Sequence, residues 1–430
     1  MRRIVLQPDE VFSNKHLQRK SAFNAKALEI ATGIVEDVRE RGDEALRELT
    51  EKFDGVKVEN FRVPQEAIDE AVAQCDPMLG AALEQAAAQI RAFHERQLEQ
   101  SWFAMRSDGA LVGAKVTPLD SVGVYVPGGR ALYPSTLLMN AIPASVAGVE
   151  RIVVVNPPTK DGTLDPAILK ACELSGVTEI YSVGGAQAVA ALAYGTEQIA
   201  PVDKITGPGN AFVAAAKKIV SGDVGIDMIA GPSEVCVVAD ESADPALVAI
   251  DLMAQAEHDP LATCYLVTFS EEYANRVEEA VAEHMKESTR VEITKASLDD
   301  QGLIVVCDDL PQALEAVNVI APEHLELHIA NPMDSLGAIR HAGAIFMGEW
   351  TPEAVGDYVA GPNHTLPTGG TARFSSPLAV EQFIKKSSII QYSADALAAD
   401  APAIIAIAKH EGLWAHARSV ELRQDALTQE

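Results

Sequence analysis

Val122-Gly123-Val124-Tyr125-Val126-Pro127-Gly128-Gly129 is a short apolar run cut off by proline and glycine. A run of this length, rich in β-branched residues and ended by turn formers, reads as a buried strand. The spacing after it predicts a helix from Tyr133 to Val146 and a strand from Ile152 to Val155. A helix from Pro166 to Leu174, a strand from Glu179 to Val183 and a helix from Ala186 to Tyr194 follow, the last two separated by Gly184-Gly185. Thr206-Gly207-Pro208-Gly209-Asn210 then leads into a helix from Ala211 to Val220. Strand, glycine loop and helix in repeated order predict a parallel sheet covered on both faces.

Downstream the rhythm returns. Glu234 to Val238, Thr263 to Thr268, Leu303 to Val306 and Ala344 to Met347 are strand-like, with helical patterns between them, the longest from Glu271 to Lys286. Upstream, Asn24 to Arg41, Asp43 to Phe53 and Pro77 to Leu98 carry apolar residues at helical spacing. Trp102 to Met105 and Leu111 to Val116 flank Ser107-Asp108-Gly109 as a hairpin. After Pro377, helical segments are expected at Ala379 to Lys386 and Ala394 to Glu411, the second split at Pro402. The expected fold is α/β: two doubly wound, Rossmann-like parallel-sheet units with a helical N-terminal region and a helical C-terminal tail. The expected division is an arm over 1–24, a first α/β domain over 25–120 and 235–375, a second over 121–234, and a tail over 376–430.

A length of 430 residues is too great for one simple core and suggests two or three domains. The net charge of −28 repels nucleic acid phosphates and anionic membrane surfaces, so neither is an expected partner. No apolar run approaches the roughly 18 residues of a membrane helix, and Met1-Arg2-Arg3-Ile4-Val5 runs into polar sequence without a signal-peptide pattern. Cys75, Cys172, Cys236, Cys264 and Cys307 are scattered and read as reduced thiols of a cytoplasmic protein.

The residues able to carry chemistry sit beside these elements. In Gln255-Ala256-Glu257-His258-Asp259-Pro260, Gln255 and His258 close a helical pattern and share a face, while Glu257 points elsewhere. An amide oxygen and an imidazole so placed can grip a borderline ion such as zinc, although solvated polar residues at a helix end look the same. Glu323-His324 precedes a period-2 run and could share acid/base work; the plainer alternative is the wet edge of a strand. Asp357 and Asn363-His364 lie in a loop rich in glycine and proline from Gly348 to Gly370, and loops this long are usually functional or disordered. The ligand rule for open α/β sheets points to Pro127-Gly128-Gly129, Gly184-Gly185-Ala186-Gln187 and Gly207-Pro208-Gly209-Asn210 at the carboxyl ends of strands.

Several segments, in order, resemble the histidinol dehydrogenases. They are Tyr125-Val126-Pro127-Gly128-Gly129, Val183-Gly184-Gly185-Ala186-Gln187, Thr206-Gly207-Pro208-Gly209-Asn210, Ala230-Gly231-Pro232-Ser233-Glu234 and Gln255-Ala256-Glu257-His258. Ala321-Pro322-Glu323-His324, Gly356-Asp357-Tyr358, Asn363-His364-Thr365-Leu366-Pro367-Thr368 and Glu411-Gly412-Leu413 with His416 continue the series, and Val359 is a mild departure. The resemblance implies one zinc ion per subunit held by Gln255, His258, Asp357 and His416, and an acid/base pair of Glu323 and His324. It implies NAD contacts from Tyr125, Gln187 and Asn210. Ser233, His364 and Glu411 would surround the substrate together with Gln255, His258, His324, Asp357 and His416. It also implies a homodimer with shared active sites, the tail carrying His416 to its partner.

The implied reaction is the oxidation of L-histidinol to L-histidine through bound L-histidinal with two NAD⁺, the last step of histidine biosynthesis. A covalent route would need a thiol such as Cys236, but Val235-Cys236-Val237-Val238 reads as buried strand. One rival is a zinc and NAD dehydrogenase for another polyol, such as a sulfopropanediol. The other is a zinc hydrolase, which leaves the three glycine loops without a purpose.

Overall fold

The computed structural model describes residues 1–17, 19, 25–128, 132–160 and 162–427; Asn24, the expected start of the first helix, and Gly129 of the first glycine loop lie outside them. Two units divide the chain, one of Met1–Gln97 with Leu119–Phe383 and one of Leu98–Pro118 with Ile384–Glu430.

The first unit holds two wholly parallel sheets, as the alternation of strands and helices predicts. The five-stranded sheet runs Glu179–Ser182, Arg151–Asn156, Ser121–Tyr125, Lys204–Thr206, Gly225–Ile226. In chain order that is third, second, first, fourth, fifth, so the winding reverses between Ser121–Tyr125 and Lys204–Thr206. Side chains alternate across it. Val122, Val124, Ile152 and Val154 pack on Leu137, Leu138, Ile142 and Ile168. Val153 and Val155 face the other way, onto Ala31, Val35 and Leu46 from the N-terminal helices and onto Ala188 and Leu192. A buried Val or Leu side chain stabilises by roughly 1.5–3 kcal/mol, so two covered faces hold such a sheet firmly.

The six-stranded sheet runs Arg2–Val5, Leu303–Val306, Thr263–Thr268, Glu234–Ala239, His324–His328, Ala344–Met347. The winding repeats, reversing between Glu234–Ala239 and His324–His328. His324–His328 is an interior strand whose five residues are all buried, so the wet-edge alternative is wrong. Leu325 and Leu327 enter the apolar core, while His324, Glu326 and His328 share the opposite face. The polar alternation marks a buried polar layer there.

The second unit has a three-stranded antiparallel sheet in the order Ile384–Gln391, Leu111–Pro118, Trp102–Met105, and a hairpin of helices Ala394–His410 and Trp414–Leu427. Two expectations fail here. Ala379 to Lys386 is not a helix, since Val380–Phe383 is a single 3₁₀ turn and Ile384–Gln391 pairs along its full length with Leu111–Pro118. Sheet pairing outweighs a weak local helical pattern. Pro402 does not split its helix either, which runs through it with Ala401 and Ala408 buried. The hydrogen bond a proline removes is affordable in a helix anchored by such packing.

No helix among the described residues is long and apolar enough to cross a membrane.

Candidate active site

Four segments of the first unit converge. The helix Pro245–Ala256 carries Gln255 in its last turn, and His258 follows it. The loop expected from Gly348 to Gly370 contains a short helix, Glu353–Tyr358, too brief for a periodic signal. Glu353 and Asp357 lie four apart on it and so share a face. Ligand atoms of His258, Glu353 and Asp357 all lie within 4.8 Å of one another. With its amide nitrogen turned toward Glu353, Gln255 donates to the two carboxylate oxygens at 2.5 and 2.9 Å. Its carbonyl oxygen then faces away from Glu353.

Glu323 and His324 sit at the amino end of their strand, not at a carboxyl end. At the carboxyl end of the same switch the backbone is stitched shut, the Asp240 N–H donating to the His328 carbonyl at 3.1 Å and the Ala330 N–H to Asp240 Oδ2 at 2.9 Å. At the amino end, His324 Nδ1 is 3.2 Å from the Glu234 carbonyl oxygen, which can only accept. The proton is therefore on Nδ1, and Nε2 presents its lone pair. Nε2 is buried, has no hydrogen-bond partner among the described residues, and lies 3.8 Å from Asp357 Oδ1. Burial pushes the imidazole down to about 4, against the pull of Asp357, so the ring is neutral at physiological pH. Glu323 accepts the Glu234 N–H at 2.9 Å, and its burial pushes the carboxyl well above the ordinary range.

His364 Nδ1 lies 2.9 Å from the Asp357 carbonyl and Nε2 3.3 Å from Thr136 Oγ1, which fixes the ring beside Asp357. Ser233 is half-buried next to Glu234. Glu411 and His416 belong to the helical hairpin of the second unit, where both are exposed.

The donor set of imidazole, carboxylate and amide suits zinc. Burial raises the Glu353 carboxyl well above its usual range, and the neighbouring charges of Asp357, Glu326 and Glu323 raise it further. A divalent cation would relieve that accumulation of negative charge. The residues thus fit the metal.

The carboxyl end of the five-stranded sheet holds the glycine loops. The Tyr125 hydroxyl accepts the Gly185 N–H at 3.1 Å. Gln187 is 1% exposed, and neither atom of its amide has a partner among the described residues. Asn210 caps the helix Ala211–Val220, its Oδ1 accepting from the Phe212 and Val213 N–H groups at 3.0 and 3.2 Å. An orphaned buried amide at the carboxyl end of an open parallel sheet fits a ligand with polar edges, such as a dinucleotide.

Sequence reasoning missed Glu353 and a buried triad behind it. His328 Nε2 is 3.3 Å from Glu326 Oε2 and 3.4 Å from Asp251 Oδ2, and Glu326 Oε1 accepts the Glu353 N–H at 2.8 Å. The triad thereby ties together the helix of Gln255, the strand of His324 and the helix of Asp357. Asp251 stands one turn before Gln255, a spacing that could have signalled it. Burial alone would lower the His328 imidazole, but its bonds to Asp251 and Glu326 and their charges lift it to about 9. An unfolded histidine titrates near 6.5. The stabilisation is therefore full below about pH 6.5 and lost as pH rises through about 9. Thermal melts between these limits should fall more steeply with pH for the natural chain than for His328→Gln; parallel curves would contradict the triad's role.

A family profile described as Histidinol dehydrogenase matches residues 17–424. The chain belongs to the histidinol dehydrogenase family. It is 56% identical over 391 residues to histidinol dehydrogenase of Bacillus subtilis (strain 168), covering 91% of this chain and 92% of that one. The relative from Halalkalibacterium halodurans is 51% identical over 421 residues, 98% and 99% of the two chains. A crystal structure of histidinol dehydrogenase from Elizabethkingia anophelis superposes with a TM-score of 0.93 at 35% identity, covering 100% of this chain and 99% of that one. Membership makes the chain an oxidoreductase of histidine biosynthesis. The α/β architecture, with its helical N-terminal region and tail, is the family's own.

Proposed function

We propose that this protein oxidises L-histidinol to L-histidine, through L-histidinal that stays bound, using zinc and two molecules of NAD⁺. The observation that carries the reading is the neutral, buried His324, whose Nε2 has no hydrogen-bond partner among the described residues and stands 3.8 Å from Asp357. Gln255, His258 and Asp357 would hold the zinc, with His416 from a second copy as the fourth ligand and Glu353 orienting Gln255. Zinc would supply a template for the amino alcohol and some Lewis acidity. Tyr125, Gln187 and Asn210 would hold NAD⁺, which takes up a hydride in each half-reaction. Ser233, His364 and Glu411 would position the substrate alongside the metal ligands.

In the first half-reaction His324 Nε2 takes the hydroxyl proton while the carbinol carbon gives up hydride. Glu323 then removes a proton from water as the oxygen adds to the aldehyde carbon, while His324 returns its proton to the aldehyde oxygen, which gives the hydrate and leaves Nε2 free again. His324 accepts the hydrate's hydroxyl proton while the second hydride leaves. No thiol is needed. Cys236 and Cys264 are wholly buried, and burial pushes both thiols up, away from the nucleophilic form.

The assignment separates the two half-reactions, of which only the second depends on the Glu323 carboxylate. Glu323→Gln should leave the first oxidation nearly intact and slow the second by about a hundredfold or more, so that NADH per histidinol falls from two toward one. Because burial holds the Glu323 carboxyl high, the second step should quicken as pH rises, while His324 is already deprotonated above about pH 5. Equal loss of both half-reactions in Glu323→Gln would sink the division of labour. NADH formed from a sulfopropanediol but not from histidinol would favour the polyol rival.

The proposed assembly is a homodimer. The second unit exposes Trp102, Phe103, Met105, Ile390, Trp414 and Leu422, apolar surface of the kind that subunit contacts cover.

A further inference from the structure

Gly207 opens the third glycine loop at the carboxyl end of Lys204–Thr206, beside the reversal of winding. Its φ is +108°, and a Cβ there would stand 2.1 Å from the Tyr125 carbonyl oxygen, so only glycine fits. Both polar groups of this residue are held by the two ends of one buried ion pair. Lys217 Nζ donates to the Gly207 carbonyl at 2.8 Å, and Asp227 Oδ2 accepts the Gly207 N–H at 2.8 Å. Lys217 Nζ also bonds Asp227 Oδ1, which closes the ring. The Lys217 side chain is 3% exposed and that of Asp227 0%.

A buried ion pair is a poor way to gain stability, because desolvation of two charges offsets their attraction. This one spans the base of a loop. Gly207 is fixed by the pair and Asn210 by its own cap on the helix Ala211–Val220, so the intervening Pro208-Gly209 is held at both ends. The cap uses Asn210 Oδ1 and leaves the amide nitrogen available to a ligand. Lys217 lies on the helix that Asn210 caps, so the clamp and the cap act on one rigid segment.

We infer that Lys217 and Asp227 are positioning residues for NAD⁺, their ion pair setting the Gly207–Asn210 loop in its binding conformation before the nucleotide arrives. The inference rests on the reading that this loop holds NAD⁺. Preorganisation of this kind acts on affinity by removing the ordering cost of binding.

The test is calorimetric titration of the intact protein with NAD⁺ and, separately, with L-histidinol, alongside zinc content. Lys217→Met combined with Asp227→Asn removes both charges together and strands neither. The expected result is NAD⁺ bound about tenfold more weakly or worse, with zinc content unchanged and histidinol affinity within about twofold. Should the double variant fail to fold, Asp227→Asn alone, which keeps an acceptor for the Gly207 N–H, is expected to weaken NAD⁺ at least threefold with the same selectivity. Lys217→Arg, which keeps the charge, should restore most of the affinity. Natural protein that binds NAD⁺ alongside variants that bind it equally well would overturn the inference alone. So would variants that lose NAD⁺, histidinol and zinc in parallel, since that is the signature of general loosening. Natural protein that binds histidinol but no NAD⁺ would overturn the nucleotide reading, and the inference with it.

Discussion

A His324→Asn enzyme should lose between about a hundredfold and ten-thousandfold in the rate of both oxidation steps while keeping its metal. That range is what a positioned general base contributes. The expectation follows from the tautomer. The Glu234 carbonyl accepts a hydrogen bond from Nδ1–H, with N and O 3.2 Å apart, which leaves Nε2 as the ring's only basic atom, and burial keeps the ring neutral. Asparagine can preserve a hydrogen bond to the carbonyl but offers no basic nitrogen. Stopped-flow recording of each NADH step checks this, with zinc analysis of the same sample. A loss confined to one step would remove His324 from the role of common base, and loss of zinc along with activity would make it a ligand instead.

The second large effect concerns the proposed metal site. Removing one of four ligands should cost on the order of 3 kcal/mol of zinc affinity, about a hundredfold, so His258→Asn and His416→Asn should each be nearly inactive at limiting metal. If the tail of one copy completes the site of the other, the two inactive variants should repair each other. Co-refolded at equal amounts, half the dimers would be mixed, each with one intact site and one doubly damaged site. About one quarter of natural activity should return. Recovery of none would place both ligands on the same chain or His416 outside the site.

Much of this was legible in the sequence because the strands are short apolar runs, some of them ended by glycine. Val122 to Val126 and Glu234 to Val238 are buried on both faces, and such strands need no partner to be recognised. The terminal regions were harder. Ile384–Gln391 became a strand only because Leu111–Pro118 lies alongside, and that pairing spans more than two hundred residues of sequence. Asp357 could be named from its motif, but its neighbour Glu353 could not, since a six-residue helix carries no period. The chemistry of His324 was legible as a residue type and not as a state. Its tautomer depends on the carbonyl of Glu234 in the adjacent strand, and its protonation on burial. The ligand rule for open sheets located the glycine loops and missed the proposed acid/base pair. Glu323 and His324 occupy the amino end of their strand, because Asp240 closes the carboxyl end.

The most direct measurement is zinc returned stepwise to chelator-stripped enzyme, with histidinol-dependent NADH recorded at each addition. Activity should rise in proportion to bound metal and level off at about one zinc per subunit, with the stripped enzyme inert. Full turnover of histidinol by protein freed of metal would contradict the account.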